Sequence, residues 1–212
     1  MIPRTTLLIL AASVGLCCTV RKNATTALRD GDIVFQCTNG PQCEAIAQAT
    51  RSPYTHCGIV FLASDGKAEV WEAVGPVRKV PYEEWVRHGL RGHVVVKRLR
   101  DAAPLTPEHL AAMKAEGERE MGRPYDIFFD MDDERIYCSE LVQKIYQRGA
   151  QLAIGKVEQF KDMDLSGEAA KHILDERFGE RIPLDREVVT PASLFRSALL
   201  VTVDSIGTPT FR

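Results

Sequence analysis

Tyr137-Cys138-Ser139-Glu140-Leu141-Val142-Gln143-Lys144-Ile145-Tyr146 is the stretch on which the reading of this chain turns. Leu141, Val142, Ile145 and Tyr146 recur at the spacing of one buried helix face, while Ser139, Glu140, Gln143, Lys144 and Gln147 take the other. Gly149 is the expected C-terminal stop. Cys138 therefore opens a short amphipathic helix, directly after the polar loop Asp132-Asp133-Glu134-Arg135. The free N–H groups and partial positive charge of a helix N-terminus stabilise a thiolate. A nucleophile gains from that position, and a cysteine kept only for packing does not.

Upstream, Thr55-His56-Cys57-Gly58-Ile59-Val60-Phe61-Leu62 reads as a strand. Ser64-Asp65-Gly66 is a turn, and Ala68 to Val74 forms the antiparallel partner. With the turn centred on Ser64, His56 falls opposite Glu72. Directly paired side chains share a face and approach within about 5 Å. Strand alternation sends Glu69 and Cys57 to the other face. His56 is thus a base with a carboxylate placed to orient it. Cysteine hydrolases need a thiolate, an imidazole that takes and returns its proton, and a polar group that holds the imidazole. Cys138, His56 and Glu72 meet that requirement in kind, and the Cys138 N–H is a ready oxyanion donor.

The remaining elements frame these. Ile33-Val34-Phe35 is a short buried strand after the turn Asp30-Gly31-Asp32, and Glu44 to Thr50 a helix. Val80 to Val86 is a turn leading into a short helix, and His93 to Leu99 a buried strand. Thr106 caps a helix with Pro107 at its first position, ended by Gly122. Further on, a short strand is expected near Leu152 to Ile154, a helix from Ser166 to Phe178, and a strand end at Val188-Val189 followed by a Thr190-Pro191 helix. A frayed tail is expected from Ile206. His88, His93, His109 and His172 stand alone and read as structural or surface residues.

Composition sets the limits. The 212 residues suit one domain with a sizeable core, and a formal charge of −2 gives no basic field for nucleic acid or an anionic membrane. Arg4 followed by the apolar run Thr5 to Val14 has the pattern of an export signal, too short to span a bilayer. Residues 1–23 are accordingly expected to be an export segment and residues 24–212 a single domain, placed in the periplasm or cell envelope. Cys17 and Cys18 at the end of the run are candidates for lipid attachment, although Leu16 departs from the small residue that such processing prefers. In an oxidising compartment Cys37 and Cys43, flanking a turn-rich loop, are candidates for a disulfide. No clustered ligands point to a metal, and no cofactor is expected.

Gly122-Arg123-Pro124-Tyr125, followed after a loop by Cys138-Ser139-Glu140-Leu141-Val142, resembles the signature of NlpC-type papain-like cysteine peptidases. Usual members carry the histidine after the cysteine; here His56 precedes it, as in the circularly permuted, YiiX-like branch. Gly31 to Phe35, Ser52 to His56 and Val189-Thr190-Pro191 match that branch too. The resemblance spans about Leu28 to Val203. It implies an α+β, papain-like fold with an antiparallel sheet packed against helices, the nucleophile helix among them. It also implies Cys138 as nucleophile, His56 as base, Glu72 as the third residue, and Tyr125 lining the site as a substrate or oxyanion contact. Tyr54, beside His56, is expected to line the cleft as well. The implied reaction is acyl transfer through Cys138. A small peptide or acyl-amide, peptidoglycan-derived, is the first substrate expected. A lipid-directed acyl hydrolase or acyltransferase, and a noncatalytic binding module, are the alternatives.

Overall fold

The computed structural model describes residues 27–207. The export segment expected over residues 1–23, with Cys17 and Cys18, and the end of the expected tail lie outside the described residues. The fold is the expected α+β, papain-like permuted architecture. In chain order it runs β1 (Ile33–Gln36), α1 (Pro41–Thr50), β2 (His56–Leu62), β3 (Ala68–Ala73), β4 (Val77–Pro81), α2 (Tyr82–His88), β5 (Val94–Leu99), α3 (Pro107–Glu120) and α4 (Cys138–Ala150). β6 (Val157–Gln159), α5 (Glu168–Phe178), β7 (Glu187–Val189), α6 (Pro191–Phe195) and β8 (Leu200–Ile206) follow. Six strands form an antiparallel sheet in the order β4-β3-β2-β1-β5-β8; β6 and β7 pair separately.

The apolar runs of β1 and β2 alternate little because both faces of the sheet are covered. Ile33, Phe35, Cys57, Ile59, Phe61 and Trp71 point into one core with Leu141, Val142, Ile145 and Tyr146 of α4. Val34, Val60, Val70 and Val80 point the other way, against Tyr82 and Trp85 of α2.

Several expectations change in detail. α4 is buried nearly all round: Ser139, Glu140, Gln143 and Lys144 are covered, and only Gln147 and Arg148 are open to solvent. Its polar side chains are spent on neighbours instead. Lys144 Nζ pairs with Glu140 at 2.7 Å and donates to Asp132 O at 2.6 Å and Asp133 Oδ1 at 2.9 Å. Gly149 does not stop the helix, which continues to Ala150 and is capped by Gln151 in the left-handed conformation. Gly149 faces α3, where a Cβ would lie 2.5 Å from Met113 Cα. The strand expected near Leu152 lies instead at β6, and Val77–Pro81 and Leu200–Ile206 add two strands. Cys37 and Cys43, the candidates for a disulfide, are free thiols in the structure. Cys43 Sγ turns to Thr38 Oγ1 at 2.7 Å and Asn39 O at 3.5 Å, and Cys37 Sγ to Thr38 O at 3.8 Å.

The role of Gly149 has a measurable consequence. Helix propensity alone makes Gly→Ala favourable by about 1 kcal/mol. Because the added methyl meets backbone, Gly149→Ala is expected to lose about 1–3 kcal/mol in urea unfolding. A gain in stability would refute the close helix crossing.

Candidate active site

The hairpin β2–β3 carries the first half of the site. Leu62 pairs with Ala68 and Ile59 with Trp71, so the turn is centred on Asp65 rather than Ser64. Glu72 consequently lies across from Gly58, and His56 is its diagonal neighbour rather than its direct partner. The parity is unchanged, so both side chains still share a face. A Cβ on Gly58 would sit 2.4 Å from Val70 Cγ1 and 3.6 Å from Glu72 Cβ. Glycine there leaves the space over which the Glu72 carboxylate reaches His56, and His56 Nε2 meets Glu72 Oε2 at 2.7 Å.

Glu72 is 1% exposed, and a bare carboxylate in that setting would be strongly unfavourable. Both of its oxygens are occupied. Trp85 Nε1 donates to Oε2 at 2.9 Å, and Arg78 donates to Oε1 from Nε at 3.0 Å and from its terminal nitrogen at 2.9 Å. Arg78 is the direct cross-strand partner of Glu72 on β4, and Trp85 reaches back from α2. Burial works against the Glu72 charge, but His56 and then Arg78 outweigh it and hold its pKa below the usual carboxylate value. The Trp85 ring also lies 5.9 Å from that of His56, tilted by 30°.

The second half is the start of α4. Ile136 N–H donates to Pro124 O at 3.0 Å and Asp126 N–H to Ile136 O at 3.3 Å, which closes the loop between them and sets Tyr125 beside the helix start. Tyr137 N–H donates to Glu140 Oε2 at 3.3 Å, capping the first turn. The residues flanking Cys138 are both fastened to one residue of β7. Val189 N–H donates to Tyr137 Oη at 3.1 Å, and Ser139 Oγ donates to Val189 O at 2.8 Å. Cys138 is held between two clamps.

α4 packs on β2, which brings Cys138 to His56 and also to Cys57. Hydrogen bonding from Cys57 and the charge on His56 hold the Cys138 thiol well below its ordinary range, against the effect of burial. Burial likewise opposes the imidazolium, but hydrogen bonds to Cys138 and Glu72 raise His56 to about 10. With Nε2 bonded to Glu72, Nδ1 is the nitrogen left for the sulfur. Cys57 is pushed up by burial and by the neighbouring thiolate, so it remains a neutral thiol. The Tyr125 hydroxyl, raised by burial and by the Cys138 charge, remains protonated and accepts from Gln42 Nε2 at 3.0 Å.

The structure thus brings together Cys138, His56, Glu72 and Tyr125. Tyr54 is elsewhere: its ring stacks 4.0 Å from that of Phe195 and 6.0 Å from that of His93. An apolar ring beside a buried β1 packs into the core rather than turning to the cleft. Trp85, Arg78, Gly58 and Cys57 were missed as site residues. Arg78 and Gly58 could have been found once the hairpin register was known; Trp85 and Cys57 depend on how helices pack against the sheet.

A permuted papain-like fold with a thiol, an imidazole and a carboxylate so arranged defines a cysteine peptidase/amidase-type hydrolase. The chain belongs to the permuted papain-like amidases of the YaeF/YiiX, C92 family, whose profile matches residues 27–204. It is 38% identical over 173 residues to the uncharacterized protein YiiX of Escherichia coli (strain K12), across 82% of this chain and 84% of that one. A crystal structure described as metalloprotein yiiX from Escherichia coli O157:H7 matches with a TM-score of 0.80 at 37% identity, over 85% of this chain and 98% of that chain.

The faces on which Glu72 and Glu69 lie can be tested directly. Glu72→Gln is expected to slow iodoacetamide labelling of Cys138 at about pH 6 by tenfold or more, since the imidazolium loses its counter-charge. Glu69→Gln, on the opposite face, should change it by less than about twofold. Equal losses in the two variants, measured by peptide mass mapping, would sink the assignment of faces.

Proposed function

We propose that the protein hydrolyses amide bonds through a thioester on Cys138. The observation that carries this reading is the 2.7 Å bond between His56 Nε2 and Glu72, which turns Nδ1 to the thiol. The Cys138 thiolate attacks the substrate carbonyl carbon. The oxyanion that forms accepts from the Cys138 N–H, which has no intrahelical acceptor at the first position of a helix, and from the Tyr125 hydroxyl. His56 gives the Nδ1 proton to the leaving nitrogen as the C–N bond breaks. Water then enters, His56 takes its proton, and the hydroxide releases the acyl group as a carboxylic acid, restoring thiolate and imidazolium. Glu72 holds the ring and its charge throughout. Tyr54 has no part in these steps.

The amide is that of a small peptide or acylated amine. Cell-wall peptides are the class suited to an exported protein, and the apolar run of residues 5–14 supports export to the periplasm or cell envelope, with Cys17 or Cys18 as a point of lipid attachment. The relative described as a metalloprotein raises the question of a metal for this chain. Among the described residues no group of three or more His, Cys, Asp and Glu side chains could hold one, so the residues do not fit a resident ion and no step runs through it. A noncatalytic binding module would have no need of an oriented imidazole beside a lowered thiol.

Between the lowered Cys138 and a His56 raised to about 10, the site is a thiolate–imidazolium pair. Alkylation of Cys138 should therefore persist well below the ordinary thiol pKa of about 8.5 and fall only when acid protonates the thiolate. In His56→Ala the profile should move up to the ordinary range. Labelling only at high pH, the same in both proteins, would overturn the reading.

A further inference from the structure

Among the described residues Gln42 is the one hydrogen-bonding partner of the Tyr125 hydroxyl, and the direction of that bond follows from the residue behind it. Arg177 of α5 donates from a terminal nitrogen to Gln42 Oε1. A guanidinium has donors and no acceptor, so the amide must turn its oxygen to Arg177 and its amino group to the other side. Gln42 Nε2 accordingly donates to Tyr125 Oη at 3.0 Å. A glutamine amide by itself has two orientations of nearly the same shape. Arg177 selects one of them.

Arg177 is itself fastened on two further sides. It donates to Ile127 O at 2.6 Å, and its guanidinium lies 5.4 Å from the centre of the Phe129 ring. Both contacts are to the loop that follows Tyr125, so one side chain anchors that loop and the amide that meets the phenol. Gln42 stands in the first turn of α1, directly after Pro41. No acceptor among the described residues takes the Tyr125 proton. A hydroxyl that accepts a bond points its own proton away from that donor, and the charge on Cys138 is near enough to act on this one. An unspent proton beside an attacking thiolate is what a forming oxyanion requires.

We propose that Gln42, oriented by Arg177, is a positioning residue that fixes Tyr125 as a hydrogen-bond donor, so that the phenol proton is directed to the oxygen that gains charge when Cys138 attacks a carbonyl. This rests on the thiol-hydrolase reading above. Gln42 acts through the phenol and takes no proton itself. A carboxylate in place of its amide would keep the pairing with Arg177 but could only accept. The Tyr125 proton would then turn to that carboxylate and be lost to the oxyanion.

The test compares two reactions of Cys138 in the full chain. Acylation by p-nitrophenyl acetate passes through an oxyanion, whereas alkylation by iodoacetamide displaces iodide at a saturated carbon and forms none. Gln42→Glu is expected to lower the ratio of acylation to alkylation rates by about tenfold or more, and Tyr125→Phe to match it. Gln42→Glu added to Tyr125→Phe should cost no more than about twofold further, since both act on one bond. Gln42→Leu removes the donor without offering an acceptor and is expected to lower the ratio by only about threefold. An unchanged ratio in Gln42→Glu, or in Gln42→Leu, overturns the positioning role. A full further loss on top of Tyr125→Phe shows the new charge acting directly and overturns the route through the phenol. A loss in Gln42→Leu as large as that in Gln42→Glu overturns the direction of the bond. Wild-type Cys138 that reacts with both reagents only at high pH removes the thiol-hydrolase reading and this proposal with it.

Discussion

The charge on Glu72 is the constraint around which this site is built. A carboxylate removed from water is tolerated only when its oxygens are fully engaged. Three elements meet that demand: β2 supplies His56, β4 supplies Arg78, and α2 supplies Trp85. The dependence runs both ways, because the buried imidazolium is held by the Cys138 thiolate together with the charge on Glu72. Arg78 therefore acts on the base at one remove, by keeping the carboxylate ionised. α2 has a chemical reason to cover the sheet as well as a hydrophobic one, since the indole N–H of its buried tryptophan points at the same oxygen that orients His56.

The nucleophile is governed by a different economy of bonds. α4 could have been a surface helix by its pattern, but its polar side chains hold structure around the thiol. Glu140 caps Tyr137, Lys144 pins Glu140 and the loop before Cys138, and Ser139 fastens the helix start to β7. Burial raises the Glu140 pKa to about 7, offset in part by Lys144. With Tyr137 and Ser139 both held by Val189, Cys138 has little freedom to retreat from His56. Such fixing of the reacting atoms is what makes proximity effective.

How much of this could be read from the chain varies with the range of the interaction. Cys138 at a helix start, the β2–β3 hairpin and the Thr106 and Thr190 caps rest on contacts within a few residues, and the structure has them. The shared face of His56 and Glu72 survived a turn centred one residue away from the expected place, because alternation depends on parity alone. Gly149 was misread because a glycine near a helix end has two explanations, a stop and a close approach, and only the position of α3 distinguishes them. β8 and the burial of the polar side of α4 are set by long-range packing. So are the contact of Cys57 with Cys138 and the removal of Tyr54 to a stack with Phe195. Parity correctly turned Cys57 away from Glu72, but nothing local indicates what lies on its own side.

The fastening of Cys138 to Val189 also orders events in time. A chain emerging from the ribosome acquires its N-terminal parts first. The residues of the hairpin bearing His56 and Glu72 are synthesised before Cys138, and Ser139 must then wait another 50 residues for the carbonyl it grips. α5 is translated in that same interval. Base and carboxylate are therefore made early and the thiol is seated late, so a growing chain carries an unclamped nucleophile until β7 arrives. In an order with cysteine first and histidine last, the base would be the final part to appear. Permutation leaves the assembled site alike while exchanging which half completes it.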